Sequence, residues 1–253
     1  MRLYGRITIY GEYLMHNLSE GLIIKSKYFL ETNGTILHPY NINIDSVAMY
    51  LSQQGFQCTP KLFGNLPLGF GFGGSTILNF LHLHSNNVND KKSLINEIDR
   101  KIHGFEPSGL DYSFCERQLD GLFLSGNWHT VSFNMPDYTI ALPLKERGKS
   151  LKDVKDKIVE SELHSIVTVL NTCLKKSNRL NFDLLMDYAI ELANLKVYNN
   201  STQLIIQYLL KNKIIAKTIG GIYDKALIIV WRDNDEKHFY LKHLKSKKNI
   251  HII

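Results

Sequence analysis

Gly69, Gly71, Gly73, Gly74 and Ser75 stand together in LPLGFGFGGSTILNFLHLH, where a glycine-rich loop runs straight into an apolar helix beginning near Ser75. Glycines let the backbone turn so that successive N–H groups converge on an anion, and the helix behind adds the partial positive charge of its N-terminus. A polyphosphate is the natural guest. The loop is not a Walker A element, because GxxxxGK[ST] wants a lysine where Gly74 stands. It also spells GxGxxG from Gly69 to Gly74, but a dinucleotide-binding unit needs a second strand ending in an acid about 20 residues on. The stretch from Asn86 to Lys92 is polar and has no strand pattern. The alternative is a glycine-rich turn that binds nothing.

Arg6 and Glu12 bracket an apolar run in GRITIYGEY. They are an even number of positions apart, so on a regular strand both project from one face and could build a polar site. The plainer reading is an edge-strand ion pair of little energetic weight. Pro107-Ser108-Gly109-Leu110-Asp111 supplies an irregular loop with a carboxylate just beyond it, which suits an acid held against a substrate hydroxyl. Glu97 and Asp99 lie upstream, at the far end of a helical segment. A carboxylate near a phosphate loop is what Mg2+ needs, since this hard cation takes oxygen ligands and keeps several waters. Taken singly, each of these acids reads as a solvated surface group.

Such groups need elements to position them. Residues 2–10 alternate as a strand, and the apolar run from Leu22 to Leu30 follows a polar turn, so the two read as a pair of sheet strands. Asp45 is placed to cap a helix carrying Val47, Ala48, Tyr50 and Leu51, with Gly55 at its exit. A strand over about 56–63 leads to Pro67 and the glycine loop. Leu94, Ile95, Ile98 and Ile102 give 90–103 a helical stripe. Two short strands surround Ser125-Gly126-Asn127, and Tyr138 to Leu142 makes another. From about 150 to 212 long amphipathic helices dominate, followed by strands over 214–218 and 226–231. A polar stretch, LKERGKS, suggests two domains, 1–147 and 148–253, in an α+β chain whose strands concentrate in the first half.

With 253 residues, 44% of them apolar and 21% charged, the chain has the composition of a folded globular protein and not of a disordered one. No apolar run approaches the roughly 18 residues that span a bilayer. The start, MRLYGRITIYGEYL, lacks the continuous apolar core of a signal peptide, so a cytoplasmic location and no membrane partner are expected. Cys58, Cys115 and Cys173 are odd in number and far apart, supporting neither a disulfide framework nor a metal knuckle. The net charge of +6 suits an anionic ligand. The basic run Lys242, His243, Lys245, Lys247 and Lys248 reads as a solvated face and not as a nucleic-acid arm.

In order and spacing, these motifs resemble those of the GHMP kinases, the superfamily of galactokinase, homoserine kinase, mevalonate kinase and phosphomevalonate kinase. GRITIYGEY resembles the first motif, LPLGFGFGGSTIL the phosphate-cradling second, and HGFEPSGLDYS the HGxPSGxD segment of mevalonate kinases. AKTIGGIYDKALIIV falls where the family places its third motif, with several of the glycines replaced. The resemblance covers nearly the whole chain. It implies a two-lobed α+β fold, with an N-terminal sheet-and-helix lobe that binds ATP and a helix-rich C-terminal lobe with an antiparallel sheet. It further implies an ATP- and Mg2+-dependent kinase acting on a small metabolite, with a mevalonate-like acceptor favoured and a homodimer left open.

Carried onto this chain, the backbone from Gly69 to Gly74 would hold the triphosphate. Ser75 and Asp99 would hold the metal, with Glu97 as the fallback acid. Asp111 would engage the acceptor hydroxyl, and Arg6 would lie beside Asp111 and stabilise charge on the transferring group. Glu12, Tyr13 and Ser108 would face the substrate. The altered third motif, residues 217–225, points to the competing reading, a family-fold protein that binds nucleotide or metabolite, or serves as a partner subunit, without turnover.

Overall fold

The computed structural model of the chain describes residues 1–12, 14, 20–34, 52–53, 55, 61–103, 106–143, 157–158, 161–219, 226–245 and 250–252. Tyr13, residues 220–225, the 144–150 linker and most of the helix expected at 45–55 lie outside them.

Two long strands, β1 (Arg2–Tyr10) and β2 (Glu20–Glu31), pair antiparallel from Arg2↔Glu31 to Tyr10↔Leu22. Their rows of Ile, Leu and Tyr alternate with smaller or polar residues, so one face packs into the core. At the end of β1, Gly11 has φ +91°, and a Cβ there would stand 2.1 Å from the Glu20 carbonyl oxygen. Only glycine allows that approach. The two-residue strand β3 (Phe63–Gly64) pairs with β2 and is what remains, among the described residues, of the strand expected over 56–63.

Helices α1 (Gly74–Ser85), α2 (Lys91–His103) and α3 (Leu110–Arg117) follow. Every residue of α1 from Thr76 to Leu83 is buried, the pattern of a helix surrounded by protein. The hairpin of β4 (Gly121–Leu124) and β5 (Asn127–Thr130) turns through Ser125 and Gly126, both at positive φ, as a two-residue loop requires. The first sheet has the order β1-β2-β4-β5, with β3 attached to β2.

The chain then crosses to a second, antiparallel sheet. Strand β6 (Tyr138–Pro143) joins β7 (Ile215–Thr218), β8 (Leu227–Val230) and β9 (Ile250–Ile252) in the order β7-β8-β6-β9. The division drawn at 147 therefore cuts β6 away from the sheet it completes, and the two sheets separate between β5 and β6. Between β6 and β7 come α4 (Leu163–Ser177), α5 (Phe182–Asn194) and α6 (Asn200–Lys211). Asn181 and Asn199 cap α5 and α6 by accepting hydrogen bonds from the amides of Leu184 and Thr202. Helix α7 (Asn234–Lys245) carries Lys242 and Lys245 exposed and Leu244 buried. One apolar core runs from Leu3 through Leu81, Leu170 and Ile228 to Leu244, so the two layers share an interior. None of the described helices is long and apolar enough to cross a membrane.

Candidate active site

The glycine loop reaches α1 by three left-handed steps: Gly69 at φ +76°, Gly71 at φ +88° and Gly73 at φ +73°. Gly73 is the N-cap of α1 and makes no side-chain cap bond, and no acid occupies the first turn. The amides that open the helix thus face no competing carboxylate from its own first turn. The loop is tied to β1 through the Arg6 amide, which donates to the Phe72 carbonyl at 3.0 Å.

Asp111 arrives from the other side. Gly109, at φ +78°, caps α3, and Ser108 Oγ accepts from the Leu110 amide at 3.3 Å, so the Pro107–Gly109 loop ends in a helix whose first turn carries Asp111. Phe80 of α1 and Tyr112 of α3 pack with ring centroids 5.8 Å apart and bring that turn against the loop. The Arg6 guanidinium then meets Asp111 with two N–H groups, Nε to Oδ1 and Nη2 to Oδ2, the latter at 3.3 Å. Its Nη1 donates to Thr8 Oγ1 at 2.8 Å. A Cβ on Gly73 would stand 2.9 Å from Asp111 Oδ1 and 3.3 Å from Arg6 Cγ, so the ion pair lies against the start of α1.

Asp99 is turned inward from α2 and is 7% exposed. It accepts hydrogen bonds from Thr76 Oγ1 at 3.0 Å and Asn79 Nδ2 at 3.3 Å. Burial, reinforced by the charge of Asp111, pushes its carboxyl up to about 7 against the pull of those two bonds. Glu97, by contrast, forms an exposed i,i+4 ion pair with Lys101 at 2.8 Å. Of the two acids considered, Asp99 is the one facing the helix behind the glycine loop. The hydroxyl that meets it is that of Thr76 and not of Ser75, because consecutive residues sit about 100° apart around a helix; Ser75 is half-buried.

Glu12 and Arg6 go different ways. The β1–β2 register breaks twice, between Tyr4 and Arg6 and between Thr8 and Tyr10, and Gly11 then turns the chain. The single polar face expected of a regular strand is therefore lost. Glu12 is buried beneath the site, where its Oε1 meets Lys217 Nζ at 2.8 Å and its Oε2 accepts from the Tyr188 hydroxyl at 3.1 Å. The Tyr188 oxygen accepts in turn from the Gly11 amide at 2.8 Å. Burial pushes the Glu12 carboxyl above its ordinary range while Lys217 opposes the shift. Lys217 and Tyr188 were not expected here. The signal for Lys217 was a lone cation in the apolar run IIAKTI, which implies a buried partner.

The chain has the fold of the GHMP kinases. The Methanococcus jannaschii mevalonate kinase superposes with a TM-score of 0.70 at 10% identity, over 100% of this chain and 96% of that one. The L. major mevalonate kinase, solved in complex with R-mevalonate, gives 0.69 at 16% identity, over 99% and 94%. The Streptococcus pneumoniae phosphomevalonate kinase, in complex with phosphomevalonate and AMPPNP, gives 0.66 at 14% identity, over 100% and 99%. No family model and no curated protein sequence matches the chain.

Proposed function

We propose that this protein is an ATP- and Mg2+-dependent small-molecule kinase that moves the γ-phosphoryl group to a hydroxyl, or a phosphate, of a small metabolite, with a mevalonate-like acceptor. The observation that carries this reading is the Arg6–Asp111 pair set against Gly73 at the N-terminus of α1. It puts an acid, a cation and an anion-receptive helix end within one small volume.

The residues fit the nucleotide and the metal. Gly69 has open space where a Cβ would be, and the first turn of α1 has no acid to repel phosphate. Asp99 offers a buried carboxylate, and beside it Asn79 Oδ1 is buried with no hydrogen-bond partner among the described residues. Oxygen donors of this kind suit Mg2+. ATP bound with Mg2+ supplies the transferable phosphoryl group and part of the charge that neutralises it.

The chain's own groups do the rest. Backbone amides from Gly69 to Gly74 receive the polyphosphate, and Ser75 and Asp99 hold the metal. Asp111 orients the acceptor hydroxyl and takes its proton, while Arg6 holds Asp111 in place and faces the charge that develops on transfer. Ser108 fixes the start of α3, and Glu12 acts from below, through the buried pair with Lys217.

The test is ADP release with mevalonate, phosphomevalonate, sugars and homoserine, each beside Asp111→Ala, after a thermal-shift check for Mg·ATP. Turnover that disappears in Asp111→Ala supports the kinase. Binding of Mg·ATP with no turnover on any acceptor would turn the assignment to a non-catalytic nucleotide-binding protein, and absence of binding would remove both.

A further inference from the structure

Thr8 is fully buried, and its amide, carbonyl and hydroxyl are all occupied, the first two by Ile219 and Lys217 and the third by Arg6 on its own strand. Its amide donates to the Ile219 carbonyl at 3.3 Å, and its carbonyl accepts from Lys217 Nζ at 2.9 Å. Its hydroxyl accepts from Arg6 Nη1 at 2.8 Å, and its β-branched side chain has few rotamers open to it. Lys217 itself is anchored by Glu12 Oε1 at 2.8 Å and by the Thr218 carbonyl at 2.5 Å. A continuous series of contacts therefore runs from Glu12 to Lys217, to the Thr8 peptide, to the Thr8 hydroxyl, to Arg6 and to Asp111.

We propose that Thr8 and Lys217 are positioning residues for phosphoryl transfer: Lys217 fixes the Thr8 peptide, and the Thr8 hydroxyl fixes the plane of the Arg6 guanidinium in which Nε and Nη2 face Asp111. The proposal rests on the kinase reading for its purpose and on geometry for its content. Arginine, unlike lysine, has a plane to orient. A bidentate bond to a carboxylate fixes that plane only while the carboxylate is still, and Asp111 is one-third exposed. A second acceptor on Nη1, held from a fully buried backbone, removes that freedom. It also gives the start of the third motif a route to the site that does not need its missing glycines, since Lys217 acts from strand β7 and not from the loop that follows.

The test reads Arg6 directly, in the full-length protein without ligand. In ¹⁵N-arginine NMR, with the resonance assigned by its loss in Arg6→Lys, rotation of the guanidinium about Nε–Cζ is slow when its amino groups are held. Thr8→Val, nearly isosteric and with the backbone bonds kept, is expected to speed that rotation about 10-fold or more, the scale of losing one hydrogen bond to a charged group. Thr8→Ser, which keeps the hydroxyl, restores slow rotation. The double variant Glu12→Gln with Lys217→Met leaves no buried charge unpaired, so it tests Lys217 without forcing the protein to unfold, and it too is expected to free Arg6.

Rotation unchanged in Thr8→Val overturns the proposal, and rotation freed by Thr8→Val but not by the double variant overturns the part given to Lys217. With an acceptor in hand, Thr8→Val lowers kcat about 10- to 100-fold and leaves the KM for ATP in place; a change confined to KM overturns the catalytic purpose. Freed rotation in a protein that turns over no acceptor removes the kinase reading and leaves the positioning. Unmoved rotation in an active enzyme does the reverse.

Discussion

Lys217 and Glu12, 205 positions apart in the sequence, meet at 2.8 Å with both side chains 1% exposed. A pair so buried gains little over an apolar pair of the same shape, but it penalises the loss of either member. Lys217→Met is expected to destabilise the protein by about 3–5 kcal/mol, since it strands a buried carboxylate. The double variant with Glu12→Gln should cost much less than the two single changes added together. Urea denaturation of the four proteins checks this, and simple additivity would show that the two charges do not depend on each other.

Asp99 predicts a pH dependence. Its carboxyl rises from 3.8 to about 7 on folding, so the folded state binds this proton more tightly than the unfolded one. This residue's contribution to stability is therefore full below about pH 4, is lost as pH rises toward 7, and stays lost above it. At about 1.4 kcal/mol per unit, the loss amounts to roughly 4 kcal/mol at most. Asp99→Asn keeps an acceptor for Asn79, and the Thr76 hydroxyl can reverse to accept, so this variant should be flat across the same window and more stable than wild type at pH 8. Millimolar Mg2+ should stabilise wild type at pH 8 and leave Asp99→Asn unmoved. Stability curves against pH, with and without Mg2+, decide it.

The glycine loop separates two costs that one kind of substitution usually mixes. Gly69 and Gly73 share a left-handed backbone, but a Cβ at Gly69 meets nothing within 4 Å, whereas one at Gly73 meets Asp111 and Arg6. Gly69→Ala should cost only the conformational term, about 1–2 kcal/mol. Gly73→Ala should add a packing term of about 1–3 kcal/mol and displace the Arg6–Asp111 pair. Denaturation gives the first comparison, and the Arg6 resonance the second. Equal costs at the two positions would mean that the pair does not lie against the loop in solution.

The sequence carried the pieces of the site better than their connections. Alternation marked β1 and a three- and four-residue spacing marked α2, while α1 showed as an apolar run behind the glycines because it is buried all round. Composition alone put a carboxylate after Pro107-Ser108-Gly109, but not the helix that starts there: α3 is eight residues long and its apolar positions are few. Pairings over long sequence distances had no local signal. Tyr188 looks like any aromatic residue of an amphipathic helix, and Thr8 like any β-branched strand residue, until the fold brings Gly11, Glu12 and Lys217 to them. The place of β6 was missed for the same reason, since its partners β8 and β9 lie more than 80 residues further on.

Arg6→Lys separates the charge at this position from its orientation. A lysine at this position keeps the charge but is a point donor, unable to meet Asp111 with two parallel bonds and Thr8 with a third. Mg·ATP binding, assigned in the proposed site to the loop amides and Asp99, should survive, with the thermal shift largely retained. Turnover should fall about 10- to 100-fold through loss of the oriented charge. The decisive comparison is the second background: Thr8→Val, harmful beside the native Arg6, should have almost no effect on kcat in the Arg6→Lys protein, because the hydroxyl then has no guanidinium plane to hold. A cycle of Arg6→Lys, Thr8→Val and the protein carrying both measures that coupling. Equal losses from Thr8→Val in both backgrounds would mean that Thr8 supports the strand in general and not Arg6 in particular.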